Sequence, residues 1–474
     1  MALKRALEIV VALVIIASAF AFGGVQPVAY SLMEIILLLV LLLVLFRRAR
    51  NGSTGLHVPL WPLLFGFWVV LEMIPLPASW VIRLSPARAL DPNLAASHWA
   101  SLSINPHDTA LMLMKFVAYV AAFVLAAYFF DFRKRRNILL SALIALGIFE
   151  AAYGTVQYLT GWQKIFTFTK QYYTFEGTGT YINHNHFAGL LELVLPFLVA
   201  SIFYRFQLLS EKRAVGGRSQ HVPGARDSSG LQALFYLFLA VILVVGVICS
   251  KSRGGIVGTV FSVVLVAVLA QLKTGQRTWL AGLVLFLVCV GAYGMWIGLG
   301  PVFSRFEEIG QTGYAESEGR LSTWRDDLRL IHDYPVAGTG FGTFGLGFRH
   351  YQTEGVNFFF DHAHNDFLEL ASDTGLVGAA LLFLPIFGIL ARMIASFLND
   401  PRRYRRAVTL GCIGSVAALL VHSVTDFNLQ IPANALVFAV VLGIGYKAAV
   451  IERRLERQAA SAVNASRPVA AKAR

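Results

Sequence analysis

Long apolar runs separated by short polar breaks dominate the chain. Ile35–Phe46, Phe235–Cys249 and Leu280–Val290 are almost wholly apolar and sit inside longer apolar stretches. A helix needs about 20 such residues to cross a bilayer. The pattern predicts twelve spans, near 6–22, 28–46, 57–75, 108–130, 137–160, 186–206, 231–249, 254–271, 277–299, 366–391, 407–424 and 431–450. The fold class this implies is an all-α polytopic helical bundle. Residues 1–299 would carry the first nine spans, and 300–365 a large loop with short helices. Residues 366–450 would carry the last three spans, and 451–474 a disordered tail. Lys4 and Arg5 before an apolar run resemble a signal peptide, but spans follow throughout, so the first segment reads as a retained helix.

Composition agrees with this pattern. Hydrophobic residues make up 57% of the 474 and charged residues 14%, against about 25% charged in soluble proteins. A net charge of +13 would suggest nucleic acid, but the placement of the charges argues otherwise. With the N-terminus inside, 28 of the 40 Lys and Arg fall on inside segments, including "RKRR" at 133–136 and "RRYRR" at 402–406. Cytoplasmic loops carry such an excess. The basic balance is therefore a topology signal, with both termini cytoplasmic and no nucleic-acid partner. The segment near 207–230 is Gly/Ser-rich and reads as a flexible inside linker. Cys249, Cys289 and Cys412 fall in or at the ends of predicted spans, so no disulfide framework is implied.

The remaining cations gather on the outside. "SKSRGG" at 250–255 places Lys251 and Arg253 in a short turn between two apolar helices. Arg253 could cap a helix or meet lipid phosphates, yet cations on the side the charge rule disfavours point to an anionic ligand. In "GRLSTWRDDLRL" (319–330), Leu321, Trp324, Leu328 and Ile331 recur at helical spacing, predicting an amphipathic helix near the membrane surface. It carries Arg320, Arg325 and Arg329, which are either a solvated face or an anion site. "GTGFGTFGLGF" at 338–348 matches a dinucleotide loop only superficially, because no Rossmann strand and helix flank it. It reads as a flexible glycine-rich loop near a substrate. "DHAHND" (361–366) closes the large loop. Asp361, His362, His364 and Asp366 could hold a metal, the segment could cap the next helix, or a histidine could act as a base. Imidazole titrates near ~6.5 and can take a proton from a sugar hydroxyl at neutral pH. Arginines for an anion, a histidine for proton abstraction and spans that admit a lipid together suit transfer from a lipid diphosphate carrier. A transporter, with Glu34, Glu150 and Glu192 along a path, is the competing class.

"SRGG" (252–255), "GRLSTWRDDLRLIHDYPVAGTGFGTF" (319–344) and "HAHNDFLELASDTGLVG" (362–378) together resemble the O-antigen ligase and O-antigen polymerase family of bacterial envelope proteins. "GTYINHNHFAGLLELVLP" (179–196) and "HSVTDFNLQIPANAL" (422–436) match more weakly, and the resemblance spans roughly 175–440. It implies a class C glycosyltransferase-like architecture in the bacterial inner membrane, with the large loop and active site facing the periplasm. It implies transfer of a glycan from undecaprenyl diphosphate to an acceptor, lipid A–core oligosaccharide in the ligases, with no metal or other cofactor. Polymerases and protein O-oligosaccharyltransferases share the motif, so the acceptor stays open. By motif, Arg253 and Arg320 would bind the diphosphate, His364 would be the base, and His362 and Asn365 would support it. Lys251 joins as a supporting residue and Arg325 as a diphosphate ligand on charge and position. His184 and His186 receive no firm role.

Overall fold

The computed structural model describes residues 2–52, 58–90, 97–134, 137–215, 229–275, 314–353 and 360–465, with isolated positions between. The predicted ninth span (277–299), Cys289, residues 300–313 and most of the 207–230 linker lie outside these.

Nine of the described helices are long and apolar enough to cross a membrane. Helices α1 (Ala2–Phe20), α2 (Pro27–Arg50), α3 (Trp61–Met73) and α4 (Ala78–Leu84) lead in. Of these, α2 is one of the nine. It carries Leu32, Leu39, Leu42 and Phe46 exposed on one side, as a lipid-facing surface requires. α3 is apolar but only 13 residues long. Helices α5 (Pro106–Phe129), α6 (Ile138–Thr160), α7 (His184–Val215), α8 (Ser229–Ser250) and α9 (Arg253–Thr274) follow. The loop helix α10 (Tyr314–Asp333) precedes α11 (Asp366–Asn399), α12 (Arg403–His422), α13 (Pro432–Tyr446) and α14 (Glu452–Ala465). The chain is an all-α polytopic membrane protein.

α7, α12 and α13 form the buried centre, with Leu190, Leu193, Leu195, Leu410, Ile413, Val416, Leu436 and Val440 inaccessible. Small residues let these helices approach. A Cβ at Gly411 would lie 2.4 Å from Phe197, and one at Gly443 2.3 Å from the Phe123 carbonyl oxygen. Close backbone approach of this kind is how helices associate without a solvent-driven core.

The tail from 451 is helical to Ala465, not disordered. Glu456 accepts from Arg405 (2.7 Å) and Arg402 (2.9 Å), and Arg405 also binds Asp400, so buried charge on α12 holds α14 in place. The run 338–348 is packed, not a flexible loop. Asp373 on α11 accepts from the Gly342 and Thr343 N–H groups at 2.8 and 3.0 Å, and the Glu72 carboxylate accepts from Phe341 N–H at 3.0 Å. Its glycines are needed for contact: Gly338 lies at φ +64°, and a Cβ there would meet the Asp373 backbone at 2.3 Å. α10 turns two residues of its apolar row outward, as a helix at a membrane surface does. Leu321 and Leu328 are exposed, and the buried face carries Thr323, Asp326, Asp327 and Leu330. The sheet content of the described residues is two antiparallel ribbons, Leu76–Pro77 with Trp99–Ala100 and Lys164–Ile165 with Phe168–Thr169.

Candidate active site

The polar ends of α7, α9, α10, α11 and α12 converge on one loop, His422–Leu429. Asn365 caps α11: its Oδ1 accepts from the Phe367 and Leu368 N–H groups at 3.0 and 3.1 Å. Capping therefore falls to Asn365, and the two histidines before it are free for other contacts. His364 is a non-glycine residue at φ +51°. That left-handed conformation is disfavoured for a side-chain-bearing residue and tends to mark functional positions. It turns the ring so that Nδ1 lies 3.7 Å from Asp426 Oδ1, with about a quarter of the side chain accessible.

Asp426 is buried and faces two histidines. His186 Nε2 lies 3.6 Å from the same Oδ1. Burial opposes the Asp426 charge, yet the contacts from His186 and His364, with the charges of His186 and Arg320, hold the carboxyl well below the usual carboxylate range. The neighbouring Phe427 ring is surrounded by imidazoles. His362 stacks on it at 4.1 Å, and His186 and His364 meet it edge-on at 4.6 and 4.8 Å. His362 Nδ1 sits 2.7 Å from Glu369 Oε1. Burial lowers the His362 pKa, but the Glu369 carboxylate outweighs it and the net shift is upward.

The loop itself is pinned by Asp366. Its Oδ2 accepts from Ser423 Oγ at 2.6 Å, and its carboxylate accepts from the Leu429 N–H. His422 Nδ1 contacts Glu192 Oε1 at 2.9 Å, deep in α7. Glu150 is likewise taken by Thr180, whose N–H and Oγ donate to it at 2.8 and 2.6 Å. Two of the three carboxylates named for a transporter reading, Glu150 and Glu192, are thus bound into packing contacts.

The arginines separate. Arg253 is the first residue of α9, behind a Ser252 cap whose Oγ accepts from Gly255 N–H at 3.1 Å. The next residue, Gly254, lies flat on the loop: a Cβ there would meet His422 Cδ2 at 2.4 Å and Thr425 Oγ1 at 2.8 Å. Arg320 donates from Nη1 to the Thr425 carbonyl at 3.0 Å. Arg320 and Gly254, the neighbour of Arg253, therefore both border Thr425, beside Asp426. Arg325 does not. It is exposed, five residues further along α10 and about 140° around the axis from Arg320. Lys251 Nζ lies 4.0 Å from Glu176 and 5.3 Å over the Tyr158 ring, tying the 161–183 segment to the turn.

Asp361, His362, His364 and Asp366 do not converge as a ligand set. Asp361 is exposed, and the other three face Glu369, Asp426 and Ser423. The sequence left His186 without a firm role, did not point to Asp426 or Phe427, and gave Asp366 no role beyond a metal ligand. It also missed Asp327, a fully buried carboxyl on α10. Burial pushes it up, to about 8, against a contact with Ser372 and with the charge of Glu369 adding.

Residues 238–383 match the family model described as O-antigen ligase. The match covers less than a third of the 474 residues and is a likeness of this segment to the O-antigen ligase family. A comparison with curated proteins returns no match. The matched segment runs from α8 into α11 and contains Arg253, Arg320, His362 and His364. His186 and Asp426 complete the cluster from outside it.

Proposed function

We propose that this protein is a glycosyltransferase that moves a glycan from undecaprenyl diphosphate to an acceptor hydroxyl, with lipid A–core oligosaccharide the favoured acceptor. The site faces the periplasm in this reading. The observation that carries it is the single loop His422–Leu429, which touches Gly254 beside Arg253, Arg320, His186 and His364 together.

The chemistry needs a base for the acceptor O–H and positive charge for the leaving diphosphate. Asp426 Oδ1, 3.7 Å from His364 Nδ1, favours the tautomer with the proton on Nδ1 and the lone pair on Nε2. Nε2 takes the acceptor proton as the hydroxyl oxygen bonds to the anomeric carbon. The bond from that carbon to the diphosphate oxygen breaks, and the electron pair leaves with the diphosphate. Arg253 and Arg320 stabilise the charge that develops there. Asn365 and His362 hold the segment that carries His364. Arg325, exposed and away from the loop, is left out of the diphosphate site.

The test is reconstitution of purified protein with carrier-linked glycan, offered lipid A–core, a second carrier-linked glycan or a hydroxyl-bearing peptide. A lipid A–core-linked product is expected. A glycan extended on its own carrier would make the protein a polymerase. Release of free glycan with no acceptor product would contradict the reading.

A further inference from the structure

A groove of about 860 Å³ opens at the opposite end of the bundle, between the end of α11 and the junction of α13 with α14. α11 breaks at Gly375 (φ +67°, ψ 177°), and Asn399 on the groove wall lies 24 residues beyond that break, about 36 Å at 1.5 Å per residue. A hydrocarbon layer is about 30 Å thick. If the histidine cluster lies at one membrane boundary, this groove lies at the other.

Its lining combines charge with an apolar floor. Arg392, Arg453, Arg454 and Arg457 face it, with Ala395 and Val450 between them. The carboxylate at its edge, Glu456, is taken by Arg402 and Arg405. Among the described residues, Arg392, Arg454 and Arg457 have no acidic partner. Arg453 donates to the Ser396 carbonyl at 3.2 Å. The Ser396 hydroxyl is buried at the groove wall and has no hydrogen-bond partner. A buried hydroxyl normally finds one, so Ser396 Oγ is an unpaired donor in the groove wall. The chain widens here too: Lys447–Ile451 is a π-helical turn, a feature enriched at functional sites.

We propose that this groove binds the headgroup of an anionic phospholipid. Arginine pairs bidentately with phosphate oxygens, Ser396 Oγ supplies a further donor, and Ala395 and Val450 meet the glycerol and first acyl carbons. The surrounding bilayer offers such phosphates at this depth. The glycan donor's diphosphate is engaged at the far end, so the two sites are separate.

The test titrates detergent-purified full-length protein with dioleoyl phosphatidylglycerol, dioleoyl phosphatidylcholine or inorganic phosphate, with bound lipid counted by native mass spectrometry. The wild type should hold phosphatidylglycerol about tenfold more tightly than the Arg453→Gln/Arg454→Gln/Arg457→Gln variant, a difference of ~1.4 kcal/mol. Phosphatidylcholine should bind both weakly and alike, and millimolar phosphate should not displace the lipid. Equal phosphatidylglycerol binding by wild type and variant would overturn the site. Displacement by inorganic phosphate would overturn the lipid as its occupant. If the triple variant does not elute as a single folded species, Arg392→Gln and Ser396→Ala carry the same comparison.

Discussion

His364 and Asp426 form the residue pair on which the chemistry turns. Asp426→Asn keeps the shape and removes the charge that favours this imidazole tautomer. It should lower transfer about 10- to 100-fold, with unchanged elution and helix content, measured by product formation in vesicles. A fall shared equally with the amount of folded protein would assign Asp426 to packing instead. His362 carries a pH signature. Its raised folded pKa means the contact with Glu369 stabilises fully below the unfolded value of ~6.5 and is lost as pH rises through the folded pKa. The Tm advantage of wild type over His362→Phe should therefore shrink as pH rises above ~6.5. A constant difference across that window would contradict the ionic contact. His364, Asn365 and Arg320 were legible because they sit in recognisable local motifs. Asp426 and His186 were not, since only the crossing of α7, α11 and α12 brings their side chains together.

At the scale of elements, the site depends on close packing between helix ends. Gly254→Ala would set a Cβ 2.4 Å from His422 Cδ2. Overpacking of this kind costs about 1–3 kcal/mol. It should displace the start of α9, and Arg253 with it. The expected result is a lower Tm and weaker donor binding, read as a raised KM for carrier-linked glycan. At the other end, Arg405 is buried among Asp400, Glu452 and Glu456. Arg405→Ala strands those carboxylates, and loss of one partner of a buried pair costs about 3–5 kcal/mol. Thermal unfolding should fall accordingly, and proteolysis should trim α14 first. An intact, protease-resistant α14 would contradict this account of the tail. The apolar period located nine of the twelve expected spans among the described residues, because length and hydropathy are local; α1 and α3 are not among the nine, and 277–299 lies outside the described ranges. The period misread α14 and the 338–348 run, because both are held by carboxylates distant in sequence: Glu456 reaching back to α12, and Asp373 and Glu72 clasping glycine-flanked N–H groups.

At the scale of the molecule, the charge pattern indicated which end of the bundle would carry the chemistry. The function proposed here puts that chemistry at the convergence of five helix ends on His422–Leu429. Transfer should persist in excess chelator, because Arg253 and Arg320 supply the charge for the diphosphate. Activity lost with chelator and restored by a divalent ion would revive a metal role. The most direct measurement is single-turnover transfer by purified, reconstituted His364→Ala from carrier-linked glycan to lipid A–core. The account predicts donor binding within about twofold of wild type and transfer reduced by 100-fold or more, on the order expected for loss of a general base. Transfer at the wild-type rate by a folded His364→Ala protein would contradict it.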